Sequence, residues 1–343
     1  MSPVGQLLLR NLSGIRPESK LLWINPSADQ AWHAVAGHAP KLSLFSQDYP
    51  SWIWLEAAGA KAEFGAFPVA ASGTPDHLIL TLPRSKQKLE MMLNCGRSLL
   101  PKNGSLWLAG ENRTGIKSSP KYLEQWFGRV QKLDSARHCS LYEALEPLTQ
   151  SPFSATDYQC EWRLEHDDFN LNIHSWPGVF AHGKLDDGTR LLLDQLSALR
   201  IKGRVLDFGC GSGVIAACLG VLCPEIDITM IDSDALALRS ATQTIKANQI
   251  DAQIFPSSGL NKLQQRFDLI VTNPPFHHDD RTDVTLSMQL LQPVRNFLNP
   301  HGQLLMVVNR HIPYRKWLDR VFGRHEVLAS NLKFQVLHAV QSH

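Results

Sequence analysis

One stretch of this 343-residue chain constrains its fold more than any other: VLDFGCGSG, Val205 to Gly213. An apolar pair, Val205-Leu206, runs into an acid, Asp207, and then into glycines at 209, 211 and 213. The pattern describes a strand feeding a loop whose backbone must stay bare. Glycine lets such a loop turn sharply and lets a ligand approach the main chain. A dinucleotide loop of the GxGxxG kind fits poorly. Its third glycine is due at the position of Val214, and Asp207 would repel a pyrophosphate.

An acid beside an open glycine loop suits a cationic or amine-bearing ligand, such as the methionine moiety of S-adenosylmethionine. Asp207, Gly209, Cys210, Gly211 and Gly213 are the expected cradle. Asp232, 25 residues beyond Asp207, ends the apolar run IDITMID, where a carboxylate can accept from both ribose hydroxyls. Asp234, two positions on, is placed instead to cap the following helix.

Asn273-Pro274-Pro275-Phe276 closes another apolar strand, FDLIVTNPPF. An exocyclic amine on a heterocycle is a poor nucleophile because its lone pair is delocalised. Two acceptors, the Asn273 side-chain oxygen and the Pro274 carbonyl, can hold both N–H groups and favour a pyramidal nitrogen. Phe276 can stack on the ring, and the prolines, Pro275 included, preorganise the loop. No strong general base is needed, because the nitrogen becomes acidic as its new bond forms. An Asn before Pro is also a common turn, but here it follows a glycine loop and a second acid in order.

Strands and helices alternate through this half. A hairpin in EWRLEHDDFNLNIHS precedes an amphipathic helix in the LDDGTRLLL region. Strand 204–208, helix 213–222, strand 227–231, helix 234–248, a short strand at 253–255, strand 267–272, helix 284–298 and strand 303–308 follow. That order predicts a doubly wound, mostly parallel sheet, closed by an antiparallel hairpin in HEVLASNLKFQVLHAV. The Pro-, Ser- and Thr-rich segment Glu146 to Asp157 reads as a linker, dividing the chain into 1–152 and 153–343.

An internal repeat links the halves. DHLILTLPRS, a helical stretch and LLPKNGSLWLAG parallel FDLIVTNPPF, a helix and FLNPHGQLLMVV. Aligned at the strand ends, Leu82 falls at Asn273 and Arg84 at Pro275, and no glycine loop precedes them. The first domain is therefore expected to be a degenerate, non-catalytic copy. Trp52 and Trp54 alternate as core residues on an apolar strand.

Net charge is +2, so the chain as a whole is no basic clamp for nucleic acid. Local clusters remain. Arg310, His311, Tyr314, Arg315 and Lys316 follow the last core strand, and Arg113, Lys117, Lys121, Arg129, Lys132 and Arg137 form a second group. Both are placed to meet phosphates, although each residue alone is an ordinary solvated side chain. No apolar run reaches the ~20 residues of a membrane span. The six cysteines form no CxxC pair, and the 14 histidines show no ligand spacing, the adjacent His277-His278 included. Reduced thiols, no metal, no membrane, a cytoplasmic location and a monomer are the expectations.

From about Pro177 onward the chain resembles a class I S-adenosylmethionine-dependent methyltransferase, with VLDFGCGSG, Asp232 and NPPF in family order. As a whole it resembles the bacterial guanine-N2 methyltransferases of ribosomal RNA, of the small-subunit methyltransferase C type. GENRTGIKS, KLDSARHCSLY, WPGVF and LDDGTRLLL carry that closer match. The resemblance implies two tandem Rossmann-like methyltransferase domains, the first degenerate. It implies S-adenosyl-L-methionine as cofactor and 16S ribosomal RNA in the small subunit as partner. Asn273, Pro274 and Phe276 become catalytic, and Pro275, Arg310, Tyr314, Arg113 and Lys117 substrate-binding. Many class I enzymes place an acid for the adenine amine where this chain has Ser257-Ser258, which leaves Ser258 as the candidate. A 23S ribosomal RNA guanine-N2 methyltransferase is the alternative within the class, and a non-catalytic ribosome-assembly factor the alternative outside it. A glutamine methyltransferase fits less well, since that group resembles NPPY and lacks the duplicated domain.

Overall fold

The computed structural model describes residues 1–69, 73–149, 152–166, 169–274 and 291–342. They form two compact units, Met1–Gln159 and Cys160–His343.

The first unit holds strands β1 (Leu21–Ile24), β2 (Leu42–Ser46), β3 (Ala62–Phe64), β4 (His77–Thr81), β5 (Ser105–Glu111), β6 (Phe127–Ala136) and β7 (Cys139–Pro147). They lie side by side as β3-β2-β1-β4-β5-β7-β6. The first five are parallel, and β7 turns antiparallel on β5. Helices α1 (Pro3–Arg10), α2 (Ala31–His38), α3 (Tyr49–Ala57), α4 (Lys86–Leu99) and α5 (Pro120–Leu123) belong to the same unit.

The second unit repeats the plan. A hairpin of β8 (Cys160–His166) and β9 (Phe169–Ser175) precedes it, as read from the sequence. Then come α6 (Asp187–Leu193), β10 (Arg204–Phe208), α7 (Val214–Leu222), β11 (Asp227–Asp232), α8 (Ala235–Ala247), β12 (Ala252–Pro256) and β13 (Phe267–Thr272). The chain ends with β14 (Leu298–Asn309), α9 (Tyr314–Phe322), β15 (Glu326–Ser330) and β16 (Phe334–Val340). Its sheet order, β12-β11-β10-β13-β14-β16-β15, is that of the first unit strand for strand. The internal repeat seen in the sequence is thus a repeat of topology.

Burial explains the strand sequences. Val205, Leu269, Val271, Leu305 and Val307 face one core layer, and Leu206, Phe208, Ile270, Leu304 and Met306 face the other. A parallel sheet covered on both faces needs such continuous apolar runs. Two helices of the second unit begin on carboxylate caps. Asp234 accepts from the Leu236 and Ala237 amides, as expected for a cap, and Asp186 accepts from the Thr189 amide.

Three sequence expectations need correction or relocation. Trp52 and Trp54 lie on α3, half-buried, not on a strand. Asp48 caps that helix and Pro50 sits in its first turn, which outweighs the apolar run. Of the helix expected over 284–298, residues 284–290 lie outside the described ones. Val294–Phe297 is a single 3-10 turn, and Leu298 already begins β14. The linker beyond Pro147 packs on the first unit: Phe153 meets the rings of Phe67 and Tyr158, and the Tyr158 hydroxyl accepts from Asn94. The division by contacts accordingly falls after Gln159.

Candidate active site

The order of the second sheet reverses between β10 and its neighbour β13, and sheets of this kind take their ligands outside the carboxyl ends of the strands at such a point. Asp207 lies in β10, the glycine loop follows it, Asp232 ends β11, Ser258 follows β12, Asn273 follows β13 and Arg310 follows β14. The fold brings residues spread over a hundred positions to one edge.

Asp207 is wholly buried. Its Oδ2 accepts from the Ala216 amide at 3.2 Å, while Oδ1 has no partner among the described residues. Desolvation pushes its carboxyl up to about 7, with the Asp232 charge adding to the rise. An unmet buried carboxylate oxygen is costly. Half-buried Asp232 accepts from the Gly211 amide through Oδ2 and from the Asp234 amide through Oδ1, each at 2.9 Å. Its carboxyl is raised to about 6 by desolvation, against the pull of those backbone bonds. Each oxygen keeps a further lone pair for a hydroxyl donor.

The loop is tied to β11 by the Gly209 and Cys210 amides, both donating to the Ile231 carbonyl. Cys210 buries its side chain in the core. Gly211 and Gly213 both have left-handed backbones. A Cβ on Gly211 would meet nothing within 4 Å among the described residues, whereas one on Gly213 would press on Ala241 Cα and Met230 Cε at 3.1 Å. One glycine thus faces open space and the other lets α8 pack closely.

Asn273 is half-buried and Pro274 buried at the tip of β13. Thr272 anchors the tip by donating its hydroxyl to the Phe208 carbonyl at 2.7 Å. The Asn273 side-chain nitrogen donates to Thr189 Oγ1 at 2.9 Å and to Asp186 Oδ2 at 3.2 Å. Sequence reasoning assigned these two residues no role. The only available signal was the cap-like spacing in LDDGT. Pro275 and Phe276 lie outside the described residues, as do His277 and His278. Ser258 is half-buried beside the Asp232 turn, where Ser257 donates its amide to the Asp232 carbonyl at 3.0 Å.

The outer residues fare unevenly. Arg310 is exposed, with Nη1 donating to the Asn331 carbonyl at 3.0 Å. Tyr314 is corrected: it has no exposed surface, stands edge-on to Trp317 and belongs to the core face of α9. It cannot meet a phosphate there. Arg113 and Lys117 are exposed on the first unit, the former paired with Glu111.

The equivalent edge of the first unit is filled from within. Asn25, at the end of β1, donates its amide to Gln47 Oε1 at 3.0 Å, and the Gln47 backbone amide returns a bond to Asn25 Oδ1 at 2.8 Å. Gln47 is 1 % exposed and also donates to the Ala66 carbonyl. Leu82, aligned with Asn273, lies so close over Gly110 that a Cβ there would meet its own at 2.6 Å.

A doubly wound sheet with an acid–glycine loop, a second acid and an amide strand tip, in this order, defines a methyltransferase. Residues 170–338 match the family described as Methyltransferase small domain, and residues 5–161 match Methyltransferase small domain N-terminal. The chain is 33% identical over 344 residues to a ribosomal RNA small subunit methyltransferase C of Pseudoalteromonas atlantica, covering 98% of each. It is 36% identical over 302 residues to the one from Erwinia tasmaniensis, covering 87% of this chain and 86% of that one. The chain belongs to the ribosomal RNA small subunit methyltransferase C family. Its fold matches that of a T. thermophilus 16S rRNA N2 methyltransferase solved with AdoMet and guanosine, with a TM-score of 0.83 and 22% identity. That match covers 99% of this chain and 92% of the other.

Proposed function

We propose that this chain transfers a methyl group from S-adenosyl-L-methionine to the exocyclic N2 of a guanine in 16S ribosomal RNA. The observation that carries the reading is the shared edge: an open glycine loop between two raised carboxyls, beside an amide whose hydrogens are already taken. The donor suits these residues. Its ammonium matches the charge of Asp207 buried beneath the glycine loop, its ribose hydroxyls match the spare lone pairs of Asp232, and Gly211 leaves the main chain open. Ser258 stands on the adenine side. When bound, the donor supplies an activated methyl on sulfonium; the rest falls to the chain.

Asn273 Oδ1 and the Pro274 carbonyl accept the two N2 hydrogens and turn the nitrogen lone pair outward, while Phe276 stacks on the base and Pro275 stiffens the loop. Positioning and electrostatics of this kind lower the barrier without a strong base. Arg310 lies at the crevice rim, where it can meet the RNA backbone. The first unit, its own crevice filled by Asn25 and Gln47, serves as a structural and RNA-facing domain through Arg113 and Lys117. The reading takes the protein to act as a monomer in the cytoplasm, and no described helix is long and apolar enough to cross a membrane.

Mass mapping of ribosomal RNA from a strain lacking the protein tests the reaction. One missing N2-methylguanosine in 16S RNA, restored in vitro by the purified chain and S-adenosyl-L-methionine, is the expected result. A methyl missing only from 23S RNA, or from no RNA, overturns it.

A further inference from the structure

An asparagine amide is nearly symmetric in shape, and rotation by half a turn exchanges its oxygen with its nitrogen. A catalytic acceptor built on such a group needs something that tells the two ends apart. At the tip of β13 this is done by the first turn of α6, 84 and 87 positions earlier in the chain. We propose that Asp186 and Thr189 are positioning residues that lock the Asn273 amide with its oxygen free for the guanine amine. The proposal rests on the role given to Asn273 above.

The chemistry of the partners fixes the orientation. Ionised Asp186 can only accept, so the group 3.2 Å from its Oδ2 must be the amide nitrogen. Turning the amide over would set oxygen against carboxylate. The Thr189 hydroxyl is oriented too: Asp186 Oδ2 lies 3.5 Å from Oγ1 and takes its hydrogen, which leaves a lone pair for Asn273 at 2.9 Å. Both Asn273 amide hydrogens are thereby engaged, and Oδ1 carries no hydrogen bond among the described residues. A carboxylate pulling on one end of an amide also polarises the other end, making Oδ1 a stronger acceptor as charge develops on N2.

Two further features hold the device in place. Asp186 Oδ2 also accepts from the Thr189 amide at 2.9 Å, so the helix cap and the tether share one oxygen. Gly188 keeps the space clear, since a Cβ there would lie 3.0 Å from that oxygen and 3.2 Å from the Phe334 ring.

Substitutions can separate the cap from the tether. Thr189→Val removes one acceptor for Asn273 and leaves the cap. Thr189→Ser restores the acceptor. Asp186→Ser keeps a good helix cap on a side chain too short to reach Asn273. In the full chain acting on 16S RNA, Thr189→Val should lower kcat roughly three- to tenfold, the worth of one neutral hydrogen bond. Asp186→Ser should lower it about 10- to 100-fold, as for a charged one. KM for RNA and calorimetric affinity for S-adenosyl-L-methionine should stay within about twofold, and Thr189→Ser should recover the rate. In an Asn273→Ala background neither substitution should reduce the residual turnover further. Wild-type kcat in Thr189→Val and Asp186→Ser, beside an inert Asn273→Ala, overturns the positioning role alone. So does an undiminished second loss in the Asn273→Ala background. Near-normal turnover in Asn273→Ala itself refutes the role of that residue, a different failure.

Discussion

Gly211 and Gly213 have similar backbones and opposite surroundings, so the same substitution at each should produce different losses. An alanine in a left-handed conformation costs ~1–2 kcal/mol. Part of that is offset by the ~0.4–1 kcal/mol that losing a glycine removes from unfolded-state entropy. At Gly211 nothing else among the described residues opposes a methyl group, because none of their atoms lies within 4 Å of the added Cβ. Gly211→Ala should therefore cost about 1 kcal/mol, and the transition of the second unit should fall by ~2–4 °C. At Gly213 the Cβ would press on Ala241 Cα and Met230 Cε at 3.1 Å, which adds ~1–3 kcal/mol of overpacking. Gly213→Ala should melt ~5–15 °C lower. Cofactor affinity should run the other way. If the main chain at 211 lies against the ligand, a methyl group there excludes it, and calorimetry at 15 °C should give at least a tenfold weaker Kd, ~1.4 kcal/mol. Gly213→Ala, kept below its transition, should bind within about threefold of wild type. Undiminished affinity in Gly211→Ala would refute the claim that this loop cradles the donor, whatever its effect on stability.

Asn273→Ala should keep the fold and the cofactor affinity while kcat falls by about 10²–10³, the scale of removing one preorganised transition-state partner; single-turnover methylation of 16S RNA measures it. Burial holds Asp207 near 7 and Asp232 near 6, against an ordinary 3.8, so the folded chain keeps protons that the unfolded chain has released. Their favourable contribution is complete below pH 3.8 and lost as pH rises to about 7. The transition temperature of the unliganded protein should decline across that window, and Asp207→Asn should flatten the decline. Affinity for S-adenosyl-L-methionine should have the reverse slope, weakening up to about tenfold per pH unit below 6, because its ammonium needs the ionised acid. A pH-independent Kd between 5 and 7 would remove Asp207 from the donor site. Charge reversal at Arg113 and Lys117 should raise KM for RNA several-fold and leave cofactor affinity unchanged; unaltered RNA kinetics would take that patch out of the interface.

What the sequence revealed was what short stretches of backbone demand. The glycine loop, the acid closing IDITMID and the amide ahead of two prolines each announce themselves within a few residues. The doubly wound sheet followed from alternation, and the duplication from the internal repeat. The misreadings came where neighbouring signals competed. YPSWIWLEA is apolar on every side, and the cap at Asp48 with the proline behind it was the evidence for a helix. Tyr314 was drawn outward by Arg310, Arg315 and Lys316, although burial at 314, 317, 318, 321 and 322 follows a helical period facing inward. The tether on Asn273 could not be read at all. It joins residues more than 80 positions apart, and nothing in LDDGT says which strand tip its carboxylate will meet. The Asn25–Gln47 pair, 22 positions apart, was hidden for the same reason.

That pair gives the duplication a thermodynamic reading. In the first unit the crevice amides answer each other, so the sheet edge is complete without a guest and gains nothing by admitting one. In the second, Asp207 keeps an oxygen unanswered among the described residues, and in the proposed reaction a cationic guest offsets that cost. Two copies of one strand order have thus settled on opposite solutions at one place. The sealed copy carries no such cost, whereas the second gives up some stability to remain receptive. In the second half, closing the wound in the same way, with an amide reaching across to Asp207, would strengthen the fold and end the chemistry.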